Sequence, residues 1–127
     1  MAKITKECKE VLEKTEWLAI GTAGEKGVHL VGTWGSYIQT LGIEEETIYI
    51  PVYGFNQTEQ DMKNGSKVEI LCASMDVDGA HGAGQGYRLN GIAKIETSGD
   101  KVSQTKELFP WARALLVFKV QSMIPLL

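Results

Sequence analysis

Residues 28–37, VHLVGTWGSY, set a hydroxyl and a large aromatic plane beside two bare stretches of backbone, because Gly32 and Gly35 bracket Thr33 and Trp34. The segment alternates like a half-buried strand, and glycine inside a strand marks a place where a ligand or another backbone comes close. That combination suits a flat, partly polar heterocycle. A second candidate is PVYGFNQT (51–58), where a strand ends at Gly54 and Asn56, Gln57 and Thr58 lead into a helix start. Free N–H groups and the helix dipole favour an anion such as phosphate there. Simple N-capping by Asn56 or Thr58 accounts for the same residues. Trp17 reads as a core residue opening a strand, and Trp111, in FPWARA, precedes the last strand. Aromatics so placed are more often packing residues than ligand stackers.

Other chemistry is not spelled out. The glycine-rich stretch DGAHGAGQG (78–86) has neither a GK[ST] ending nor GxGxxG spacing and opens a strand, so a hairpin is preferred over a nucleotide loop. Cys8 and Cys72 form no CxxC and read as reduced, buried thiols. His29 and His81 lack partners at zinc-like spacing, so no metal site is expected. With no carboxylate pair, Ser/His/Asp order or Cys/His dyad, any redox chemistry must come from a cofactor.

The elements that must position these residues follow from periodicity. Ile4, Cys8, Val11 and Leu12 predict an amphipathic helix over 3–15. Strands are expected at 17–23, at 28–37 with 38–41 as continuation or partner, and at 47–53, 68–74, 87–97 and 114–121. Pro51 belongs at an edge or bulge. Thr58 and Gly65 frame a short helix over 56–65, Ser98 and Asp100 open another, and 123–127 forms an apolar tail. The fold class is therefore mainly β, a six-stranded antiparallel sheet with short flanking helices. Twist and kinking glycines such as Gly91 favour closure into a small barrel without edges. At 127 residues the chain makes one domain, 1–127. A net charge of -3 with scattered basic residues argues against nucleic acid. The absence of a signal-like or spanning apolar run argues against a membrane and for a cytoplasmic location.

HLVGTWGSY (29–37), IPVYGFNQTEQ (50–60), GYRLNGIA (86–93) and WARALLVFKV (111–120) together resemble the flavin split-barrel proteins related to pyridoxamine 5'-phosphate oxidase, and within them the small FMN-binding proteins. The resemblance spans nearly the whole chain. It implies a split β-barrel that binds FMN as a homodimer. Gly32, Thr33 and Trp34 would lie along the isoalloxazine and ribityl chain. Pro51, Val52, Tyr53 and Gly54 would flank the ring. Gln57 and Thr58 would meet the phosphate, with Ser74 nearby, and Trp111 and the partner subunit's Leu127 would approach the flavin. Two departures stand out: Gln57 replaces a basic residue, and Gly32 replaces an amide side chain. Lys63, Arg88 or a partner residue would then have to compensate for the lost charge. The implied activity is electron transfer or a small flavin-dependent oxidation, with a redox protein or small-molecule donor. A non-catalytic flavin or heterocycle store is the alternative. Pyridoxamine phosphate oxidation itself is disfavoured, since the C-terminal segment carries only Arg113.

Overall fold

The structure is a computed structural model describing residues 2–127. In chain order the elements are α1 (Lys6–Lys14), β1 (Trp17–Gly24), β2 (Gly27–Trp34), α2 (Gly35–Leu41) and β3 (Thr47–Val52). They continue with α3 (Asn56–Lys63), β4 (Val68–Gly79), β5 (Gly82–Glu96), α4 (Asp100–Leu108) and β6 (Ala114–Pro125). The six strands form one sheet in the order β2-β1-β4-β5-β6-β3, and every neighbouring pair is antiparallel. It curls into a half-barrel, the split-barrel class expected from the sequence.

The inward positions alternate as a half-buried sheet requires. Leu18 and Ile20 of β1, Ile48 and Ile50 of β3, Ile70 and Cys72 of β4, Leu89 of β5 and Phe118 and Val120 of β6 are buried together. Helix α1 closes one side of this core with Cys8, Val11 and Leu12. Thr5 caps it, its hydroxyl accepting from Cys8 N at 3.2 Å. Burial pushes both the Cys8 and Cys72 thiols up to about 12, so neither is a nucleophile at neutral pH.

Three expectations are corrected, while the hairpin expected at 78–86 forms. Residues 35–41 are a helix, not strand, because Gly35, Ile38 and Leu41 recur at helical spacing and are buried. Gly35 is needed at that bend: its N–H donates to Glu16 O at 2.8 Å, and a Cβ there would overlap the Thr15 carbonyl. The edges also survive. β2 and β3 end the sheet without pairing to each other among the described residues, and Pro51, which cannot donate, lies on edge strand β3. The glycine-rich stretch is the end of a long β4–β5 hairpin turning at Ala80 and His81. Residues 123–125 extend β6, pairing with Tyr87–Leu89, rather than forming a loose tail.

Phe118, lying among Ile48 and Ala93 across its two neighbouring strands, is the largest fully buried side chain. Phe118→Ala should cost about 3–5 kcal/mol in urea unfolding. At the half-exposed Ile92 the same truncation should stay within about 0.5 kcal/mol.

Candidate functional site

The curl of the sheet brings the end of β2 opposite the end of β3, and a cavity of about 560 Å³ opens between them. Gly32, Thr33 and Trp34 come from β2, Pro51 from β3, and Tyr53 and Phe55 from the connection to α3. Tyr37 of α2 and Trp111, from the turn before β6, complete the opposite wall. Trp17 lies across the β2 side. It pairs with Trp34 in the β1–β2 register, and the two indoles meet edge to face at 4.6 Å and 78°. What approaches the bare backbone of Gly32 is thus the Trp17 indole, which a Cβ at position 32 would overlap. Trp17 is therefore a half-exposed wall residue and not core, because it sits on the outward face of β1, opposite the buried side that Leu18 and Ile20 occupy. On the other wall Tyr37 packs on Phe109 at 5.0 Å and on Trp111 at 5.2 Å, and Tyr53 meets Trp111 at 6.4 Å. No carboxylate, imidazole, amine or thiol lines the cavity; its titratable groups are tyrosines.

One end of the cavity is Phe55, the N-cap residue of α3, held in the left-handed region at φ 62°. No side chain caps this helix. Its first α-helical bond is donated by Glu59 N to Phe55 O at 2.9 Å, so the amides of Asn56, Gln57 and Thr58 precede the ladder. The expected caps thus do not form. Thr58 instead points into the interior, fully buried, with a hydroxyl that has no hydrogen-bond partner. Such a group is costly unless something satisfies it.

Gln57 is committed elsewhere. Its amide donates to Asp61 Oδ1 at 2.8 Å, while the Thr22 hydroxyl donates to Asp61 Oδ2 at 2.8 Å. These two bonds, with His29 of β2 adding a favourable charge, hold the Asp61 carboxyl below the usual carboxylate range against its burial. A Cβ at Gly24 would overlap this carboxylate, so the strand end is shaped to receive it. Val52 belongs to the core, and Gly54 turns its carbonyl to Arg113. Ser74 lies on β4, its hydroxyl accepting from Asp76 N at 3.1 Å, outside the cavity. Leu127 is held at the β4–β5 hairpin by Gln85, whose amide donates to its carbonyl at 2.8 Å. Of the cations weighed from the sequence, Arg88 pairs with Glu69 and Lys63 with Glu59. The cation at the α3 start is Arg113. Trp17, Tyr37 and Phe55 join the site unannounced by local sequence; only the register of β1 against β2 places Trp17 opposite Trp34.

The sequence matches the pyridoxamine 5'-phosphate oxidase pattern over residues 4–125. The chain belongs to the pyridoxamine 5'-phosphate oxidase family. It is 38% identical over 113 residues to the FMN-binding protein of Nitratidesulfovibrio vulgaris (strain Miyazaki F), covering 89% of this chain and 90% of that one. Similar structures include HupZ of Group A Streptococcus, with a TM-score of 0.74 at 20% identity over 97% of this chain and 94% of that one. An FMN-binding protein from Syntrophomonas wolfei gives 0.68 at 14% identity over 98% and 86%. At these identities the structures share the family's fold. Among the described residues no helix is long and apolar enough to cross a membrane.

The sign of the pH dependence follows from Asp61. Its folded value lies below the ordinary 3.8, so its contribution is complete above that value and is lost as pH falls through the depressed one. Urea unfolding at neutral pH and near pH 3 should show Asp61→Asn less stable than wild type at neutrality. The gap should narrow in acid; a gap independent of pH would remove the charge from the account.

Proposed function

We propose that this chain is an FMN-binding protein that carries electrons, with the aromatic cavity holding the isoalloxazine ring and the uncapped start of α3 holding the phosphate. The observation that carries the reading is a single continuous feature. A cavity walled by Trp17, Trp34, Tyr37 and Trp111 ends at Phe55, from which α3 starts with the three uncapped amides of Asn56, Gln57 and Thr58 free for an anion. The donor set fits the group. FMN specifically is supported by the 38% identical relative of that name.

When bound, the flavin supplies reversible one- and two-electron chemistry. The protein's own part is to stack against the ring, exclude water from one edge and set the polarity around it. With no Lys or Arg lining the cavity, negative charge on the ring goes uncompensated. Net charge of -3 adds to this. The midpoint potential should therefore fall below that of free FMN. The lack of an acid or base other than tyrosine favours electron carriage over substrate turnover. A storage role is distinguished by whether a reduced donor bleaches the bound flavin.

A homodimer completes this reading. The outward face of β1, β2 and β4 is apolar at Ala19, Leu30 and Leu71 and adjoins the Trp17–Trp34 wall. Val28 and Leu30 are 78% and 66% exposed, which a second copy would cover. The partner's Leu127 would then approach the flavin.

The deciding experiment is a visible spectrum before and after adding FMN, followed by gel filtration. Flavin bands should travel with the protein, and Trp34→Ala should weaken binding and raise the potential; a protein that ignores FMN refutes the reading. Leu30→Glu, placed on the apolar face, should convert the dimer to monomer in analytical ultracentrifugation, and unchanged mass would place the interface elsewhere.

A further inference from the structure

The Arg113 side chain makes more polar contacts than any other near the site. Its backbone N–H fixes it to edge strand β3, donating to Val52 O at 2.8 Å. Its Nε reaches Tyr53 O and Gly54 O, each at 3.1 Å, and Nη2 reaches Gly54 O at 2.7 Å. The same Nη2 donates to Glu59 Oε1 at 2.8 Å. One guanidinium therefore spans the segment that enters α3 and the carboxylate one turn inside it.

Glu59 is the residue that makes this arrangement informative. It stands in the first turn of α3, just after the three uncapped amides. A carboxylate there is the wrong neighbour for an incoming anion. Arg113 holds the Glu59 carboxyl below the usual range, so it stays charged at neutral pH. Lys63 is a poorer counterion, at 3.6 Å and with a side chain 68% exposed, where solvent screens it. The buried Asp61, two residues on, adds a second negative charge nearby, met by Thr22, Gln57 and His29. Since Gln57 brings no charge, Arg113 is what offsets the local excess.

We infer that Arg113 is a positioning residue that sets specificity for the phosphorylated flavin: by neutralising Glu59 beside the first turn of α3, it lets that turn accept a phosphate that Glu59 would otherwise repel. The inference rests on the phosphate placement proposed above. Its signature is a preference for FMN over riboflavin, which shares the ring and ribityl chain but lacks the phosphate. A purely structural staple for residues 53–55 would support both ligands equally.

The test is the ratio of riboflavin to FMN dissociation constants, measured by flavin titration of folded protein. Arg113→Gln should lower that ratio by about 10–100-fold, the size of one unit-charge repulsion at roughly 8 Å in an effective dielectric of about 20, while leaving riboflavin affinity much less changed. The double variant Arg113→Gln with Glu59→Gln should return the ratio to within about threefold of wild type, as expected when one charge matters only because of the other. Glu59→Gln alone, which keeps Arg113 and its bonds to Tyr53 and Gly54, should raise the ratio. If Arg113→Gln weakens both flavins equally, Arg113 is a staple and the inference falls while the phosphate placement stands. Where Arg113→Gln does not fold, Glu59→Gln decides, and a ratio at or below wild type overturns the inference. A wild-type protein that binds FMN and riboflavin equally removes the phosphate placement itself.

Discussion

The arrangement of the site depends on a buried carboxylate. Asp61 places a negative charge beneath the β1–β2 hairpin, which is costly unless every oxygen finds a donor. Thr22 from β1 and Gln57 from the preceding helical turn supply those donors. Gly24 supplies the space. Asp61 O also accepts from Ser66 N at 2.9 Å, so the helix end is tied by the same residue. Helix and hairpin thereby fix each other, and with α3 fixed, its uncapped start is fixed against the cavity. The same network explains why Gln57 is not free to act at the helix start: the bond that docks the helix uses its amide.

A curled sheet that stops short of closure leaves two edge strands, and exposed edges invite unwanted pairing. Here the edges face one another across side chains instead of hydrogen bonds. Pro51 removes one donor from β3, and Arg113 occupies the carbonyls of Tyr53 and Gly54 just beyond it. Trp17 covers Gly32 on the opposite side. The gap between the edges is thus walled by aromatic side chains, with the Arg113 guanidinium beyond it on the β3 side, where a closed barrel would have a backbone seam.

Much of this was legible in the chain. Alternation placed all six strands, the edge position of Pro51 followed from its missing N–H, and Gly65 at φ 95° ends α3 as its place in the sequence implied. In residues 35–41, Tyr37 and Ile38 look like strand residues, whereas the close approach of Gly35 to Thr15, a partner twenty positions away, turns the chain into a helix there. Trp17 looks like a core residue for the same reason: its place beside Trp34 depends on the β1–β2 register, which local pattern does not encode. Thr58 has the right type for a cap, yet Phe55 takes a left-handed turn that starts the helix one turn earlier and carries the hydroxyl inward. Sequence reads type and period; it does not read which side chain another strand brings opposite.

The charges around α3 make the character of the site clear. Glu59 and Asp61 are negative, Arg113 and Lys63 positive, and all four are engaged in pairs or hydrogen bonds within this segment. The helix start is therefore close to neutral, and what remains for an anion is the set of uncapped backbone amides. Fixed amide dipoles lose no side-chain entropy on binding, whereas an exposed lysine must be immobilised to contribute. Under the proposed placement, such a site would derive its selectivity from geometry at the phosphate end and from aromatic contact at the ring end. An uncharged Gln57 then costs attraction at a distance more than it costs fit, because the amides stay where Asp61 holds them.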